Sequence, residues 1–244
     1  DPEDHRAARN AALARLLPLL AALALTASAA LAGAPAPLPS CSYGDELIVD
    51  TGDDYLLAPV DTRFRLPAEF APGGLVSVRE AGLADDRQLR APVVSDLGML
   101  VAAAAQEGLE FELQSAYRSY GYQEQVFSGW VETLGEEQAL LTSARPGHSE
   151  HQLGTVLDLR SAGGPAPWDL DDWAQTPEGA WLAANAWRFG FVMSYPADST
   201  DITCYSYEPR PYRWVGRENA AAVAESGLTL REWLWRHYSA RSGE

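Results

Sequence analysis

The chain contains no lysine: all eighteen basic residues are arginine, and against thirty-four acidic residues they leave a formal net charge of −16. Phosphate binding needs a basic face, so a surface of this sign excludes nucleic acid as a partner. Cysteine is almost absent, with only Cys41 and Cys204. Histidine is scarce too, and of the four (His5, His148, His151 and His237) only His148 and His151 lie close together. No internal repeat is found. What the chain does have is 47% hydrophobic and 10% aromatic content over 244 residues, enough to bury one sizeable core and too much for a disordered chain.

One apolar run stands apart from the rest. Arg6, Arg9 and Arg15 precede an alanine- and leucine-rich stretch from Leu16 to Ala34, and small-residue sites at Ala27-Ser28-Ala29, Ala30-Leu31-Ala32 and Ala32-Gly33-Ala34 are followed by Pro35-Ala36-Pro37-Leu38-Pro39. Residues 1–34 therefore read as a secretory signal, with a retained membrane anchor as the alternative because the run is about as long as a bilayer span. Either reading puts the remaining chain outside the cytoplasm, secreted or anchored at the cell envelope. In an oxidising compartment Cys41 and Cys204 are expected to pair, closing a loop of roughly 160 residues worth about 3–5 kcal/mol by chain entropy. Lipid attachment at Cys41 and two free thiols are the alternatives.

Residues 35–65 read as a linker and N-terminal arm, with Tyr43-Gly44-Asp45 and Thr51-Gly52-Asp53-Asp54 as turn signals, ahead of a domain over residues 66–244. Apolar residues at helical spacing predict a core helix from Pro92 to Gln106, stopped by Gly108, and the alternation of Leu109 to Leu113 predicts a strand. A second helix is expected from Gly121 to Leu134 with Phe127, Trp130 and Val131 on its apolar side. Further on come a strand over 155–159, a helix over 178–189 capped by Thr176, strands over 191–194 and 212–215, and a last helix opened by a Thr229/Glu232 capping box. Strands and helices mix without a β-α-β rhythm, which predicts an α+β fold with a small antiparallel sheet flanked by helices.

His151 and Asp158 could bring an imidazole nitrogen and a carboxylate oxygen to one zinc ion, although such a pair is commonly just a hydrogen-bonded structural unit. Their surroundings carry more information. Ser149-Glu150-His151-Gln152-Leu153-Gly154-Thr155-Val156-Leu157-Asp158 resembles the S-x-H-x-x-G-x-x-x-D pattern of the VanY-type zinc D-alanyl-D-alanine carboxypeptidases, a family acting on peptidoglycan. Ser115 to Gln123 resembles the family's tyrosine-arginine-serine motif with its glutamine. Ser143 to Gly147, Phe189 to Phe191, Ser194 to Pro196 and Tyr207 to Pro209 resemble further family segments in the same order.

The resemblance implies a metallopeptidase that removes a terminal D-alanine from peptidoglycan stem peptides, with zinc held by His151 and Asp158. It implies Glu208 as catalytic base and Arg118 as the group that stabilises the oxyanion, with Ser119, Gln123 and Ser149 hydrogen-bonding the substrate. One position departs from it. The family pattern runs glutamate, proline, an aromatic, then a third zinc-binding histidine, whereas this chain reads Glu208-Pro209-Arg210-Pro211. Proline cannot ligate zinc, so a weakened metal site is expected, and a catalytically impaired homologue that binds cell-wall peptides is the alternative function. Any membrane contact is expected only through the N-terminal segment.

Overall fold

A computed structural model describes residues 36–44, 46–49 and 55–242. The expected leader, the turn at Thr51-Gly52-Asp53-Asp54 and the last turn residue Asp45 lie outside them. Ala36–Glu244 form one compact unit.

The elements begin with short strands β1 (Leu47–Ile48), β2 (Phe64–Arg65), β3 (Leu75–Ser77) and β4 (Gln88–Arg90), then helix α1 (Ala91–Gln106) and strand β5 (Phe111–Ser115). Helices α2 (Tyr120–Leu134) and α3 (Glu136–Thr142) lead to a 3-10 turn at Glu150–Leu153 and strand β6 (Val156–Ser161). There follow α4 (Pro177–Asn185), β7 (Phe191–Tyr195), α5 (Thr200–Thr203), β8 (Glu208–Trp214), α6 (Arg217–Ser226) and α7 (Leu230–Ser242). Strands β5, β6, β8 and β7 form, in that order, a four-stranded antiparallel sheet. The α+β expectation therefore holds.

The alternation of β6 divides its residues between two environments. Leu157 and Leu159 point into the main core with Val94, Leu97 and Leu100 of α1 and Leu182 of α4, while Val156 and Asp158 face the opposite side, where a cleft opens. Burying each such leucine contributes about 1.5–3 kcal/mol, so the core face fixes the register, and the register fixes where Asp158 points.

Local signals place several boundaries. Thr176 caps α4 by accepting from the Gly179 N–H, and Thr229 and Glu232 form the expected capping box, Glu232 accepting from the Thr229 N–H. Three expectations shift. The strand expected over 109–113 is β5 at Phe111–Ser115, and the helix expected over 178–189 stops at Asn185 and gives way to a 3-10 turn. The predicted apolar face of α2 is not a core face: Trp130 is exposed and Gln123 is the only buried residue of that helix.

Cys41 and Cys204 are disulfide-bonded, with Cα atoms 5.3 Å apart. The bridge joins the N-terminal segment to the residue preceding Tyr205, which lines the cleft. Arg231 of α7 adds to this attachment by donating to the carbonyl of Pro39 and pairing with Asp61 at 2.6 Å.

Candidate active site

The cleft has a volume of about 380 Å³ and gathers residues from β5, α2, the Glu150–Leu153 turn, β6 and β8. Arg118, Gln123, Ser149, His151, Asp158 and Glu208 all line it, although ninety residues separate the first from the last. Ser119 does not. Its hydroxyl accepts from the Tyr122 N–H as the N-cap of α2, so it sets the start of that helix.

His151 is held by a short turn whose geometry needs a glycine. Gly154 has φ 71°, and a Cβ there would lie 3.1 Å from both Leu75 and Pro72, so a side chain would be strained and crowded at once. The turn aims the imidazole so that Nδ1 donates to the Ala116 carbonyl at 2.7 Å and Nε2 faces Asp158 Oδ2 at 3.5 Å. The same carboxylate oxygen accepts from Arg118 Nη2 at 2.9 Å.

Arg118 is fixed at every nitrogen. Nε donates to Ser115 at 2.7 Å, Nη1 to Gln123 Oε1 at 3.4 Å and Nη2 to Asp158. Gln123 is itself anchored by donating to the Ala144 carbonyl at 2.7 Å and to Ser143 at 3.3 Å. Burial alone would raise the Asp158 carboxyl, but His151, Arg118 and Arg210 outweigh it and hold the group well below the usual carboxylate range. Glu208 moves the other way: burial pushes it up to about 7, with Asp158 adding to the rise and Arg210 and Arg118 opposing it. About a quarter of its side chain, 26%, remains open through the cleft.

A buried network lies behind these groups. Glu150, adjacent to His151, accepts from Arg213 of β8 at 2.7 Å and from Ser194 of β7 at 2.6 Å, and Arg213 also donates to the carbonyls of Leu56 and Ala58. Breaking a fully buried ion pair costs about 3–5 kcal/mol, because the survivor is left as an uncompensated charge. The pair thereby locks the histidine turn to the strand that carries Glu208. His148 belongs to a different cluster: it donates through Nδ1 to the Asp61 carbonyl and places Nε2 3.3 Å from Glu46. It is therefore a buried brace for the N-terminal segment and not a cleft ligand.

The chain's own groups meet zinc's demands only in part. Two donors about 2.1 Å from a tetrahedral ion stand about 3.4 Å apart, which the 3.5 Å between His151 Nε2 and Asp158 Oδ2 matches. The position directly across the ladder from Asp158 is Pro211, which lines the cleft with no donor atom. Among the described residues no group of three or more histidine, cysteine, aspartate or glutamate side chains could hold a metal. Two ligands fit, and the set is one short of the usual three.

The small α+β fold thus carries, in one cleft beside its sheet, an enclosed histidine–aspartate–arginine arrangement with a carboxylate next to it. Several solved structures are similar to this one. A structure of the LdcB LD-carboxypeptidase, described in terms of peptidoglycan recognition, has a TM-score of 0.68 at 30% identity, covering 78% of this chain and 90% of that one. A vancomycin-resistance D,D-pentapeptidase VanY in complex with Zn(II) has a TM-score of 0.64 at 29% identity, covering 74% and 99%. The family model for VanY, D-alanyl-D-alanine carboxypeptidase, matches residues 86–217. The protein YodJ of Bacillus subtilis (strain 168) is 35% identical over 186 residues, 73% of this chain and 67% of that protein. The chain belongs to the VanY family of D-alanyl-D-alanine carboxypeptidases.

Residue-by-residue reading missed three features of the cleft. Arg210 lines it within 3.4 Å of Glu208, and the exposed rings of Trp168 and Trp130 stand at its rim. Glu150 and Arg213 gave no signal because a pair 63 residues apart leaves none in one sequence.

Proposed function

We propose that this protein is an exported carboxypeptidase that removes the terminal D-alanine of peptidoglycan stem peptides by hydrolysis. The observation that carries the proposal is the convergence of Arg118, His151, Asp158 and Glu208 on one cleft. Glu208, pushed up to about 7, is matched to accepting a proton from the attacking water and returning it to the leaving amine. Arg118, rigidly held, offers a permanent positive charge where the scissile carbonyl develops negative charge. Ser149 supplies a hydroxyl in the cleft wall for the peptide backbone, and Gln123 keeps the Arg118 guanidinium in place.

Zinc bound at His151 and Asp158 would polarise the carbonyl and lower the pKa of water. With only two protein donors its affinity is expected to be low. The arginine-flanked run of residues 16–34 and the Cys41–Cys204 bridge support export to an oxidising compartment, with residues 35–65 as an arm and 66–244 as the working domain. A second reading, in which the same cleft holds stem peptides without cleaving them, turns on Pro211 alone and is not favoured by the similar proteins, which are D-alanyl-D-alanine carboxypeptidases.

The test supplies zinc to the full chain and offers N-acylated peptides ending in D-alanyl-D-alanine or in L-alanyl-L-alanine. Free D-alanine should appear, with a preference over the L-peptide on the order of 10²-fold. Tight D-peptide binding without release supports the second reading. Absence of both release and binding overturns the proposal.

A further inference from the structure

Arg210 lines the cleft immediately before Pro211. Its guanidinium offers five donors. Among the described residues its direct contacts are Glu208 Oε1 at 3.4 Å and the ring of Trp168, 5.8 Å from its centre, and its charge also acts on Asp158. The contrast with Arg118 is direct, since all three of that residue's nitrogens already donate within the protein. Of the two cleft guanidiniums, Arg118 has every nitrogen already engaged within the protein, whereas Arg210 has most of its donors open to a ligand.

The charge balance points the same way. Asp158 is paired directly with Arg118 and His151 and acts on Arg210 only through space, which leaves Glu208 as the carboxylate in contact with Arg210. Arg210 makes a single ion pair, at 3.4 Å, in a half-buried position with 21% of its side chain open to the cleft. The Trp168 face beneath it restricts its plane, and a planar, oriented guanidinium suits two-pronged recognition of a carboxylate.

We infer that Arg210 docks the terminal carboxylate of a bound peptide, so that this chain recognises a free C-terminus through that guanidinium. The inference rests on the stem-peptide reading above and deepens it by assigning the group that sets the substrate register. A carboxylate held at Arg210 brings the last peptide bond, one residue inward, beside Glu208. An internal peptide segment offers no such anion, which would confine the protein to chain ends.

The test measures affinity, or KM where the peptide is turned over, for an N-acylated D-alanyl-D-alanine peptide and its C-terminal carboxamide. Wild-type protein should prefer the free acid by about 10- to 100-fold. Arg210→Gln should bring that ratio to about threefold or less by weakening the acid alone, and Arg210→Lys, which keeps the charge but loses the fork, should fall between. An unchanged ratio in Arg210→Gln overturns the inference. Equal weakening of both peptides also overturns it, because the arginine would then act only by holding Glu208. Failure of the stem-peptide reading looks different: wild type would retain the acid preference while treating D- and L-alanyl peptides alike. If Arg210→Gln loses its native melting transition, the Arg210→Lys ratio decides, and an unchanged ratio there counts against the docking role.

Discussion

Replacing Pro211 with histidine will raise the affinity for zinc by at least about 10²-fold, beyond what a merely supporting residue contributes. Pro211 is the direct ladder partner of Asp158, and residues directly opposite on antiparallel strands project to the same face. A histidine at 211 would thus enter the cleft beside Asp158, on the side where His151 Nε2 already stands 3.5 Å from that carboxylate. It would complete three protein ligands and leave a position for water. It would also restore the backbone N–H that proline lacks. Competition against a chromophoric chelator measures the affinity, and D-alanine release should rise with it. A wild-type chain that already binds one zinc tightly would mean that another group has taken the ligand role. Zinc binding by Pro211→His without cleavage would favour the binding reading.

In that Pro211→His background, Glu208→Gln should lower D-alanine release by about 10²- to 10⁴-fold and leave zinc affinity unchanged. Glutamine keeps the shape and a hydrogen-bonding oxygen but cannot take a proton. The two readouts separate a base from a ligand: had Glu208 moved into the place left by the missing histidine, the substitution would weaken metal binding as well. Arg210, 3.4 Å away, opposes the burial that lifts Glu208, so the pair is tuned as a unit. A loss of less than tenfold in release would show that the proton is handled elsewhere.

Much of the site was legible because its residues fall in short local motifs, His151 and Asp158 within one turn and one strand. His151, Gly154 and Asp158 form one motif, and the glycine's left-handed φ of 71° and its tight approach to Pro72 explain why that position takes no side chain. The capping signals at Thr176 and at Thr229/Glu232 were readable because such caps depend on residues three apart. Strand β8 was harder: it was expected from Tyr212 and begins at Glu208. Two prolines within four residues argue against a strand, since each removes a ladder donor. They are accommodated where the ladder is already irregular, at the β7–β8 register shift between Met193 and Tyr195 and at the Asp158–Pro211 end of the β6–β8 pairing. Helices α3 and α6 were missed because their short amphipathic patterns fall among alanines and charges. Gln123 was identified as a substrate group, and its amide is engaged with Arg118, Ser143 and Ala144. Local sequence marked the residue, but only the fold could show its partners.

The most direct measurement is a crystal structure of the full chain with a non-hydrolysable analogue of an N-acylated D-alanyl-D-alanine peptide. The account predicts the peptide in the cleft between β6, β8 and α2, its terminal carboxylate on Arg210 and its last carbonyl between Arg118 and Glu208. A peptide bound outside that cleft, or lying in it with its C-terminus turned away from Glu208, would contradict the account.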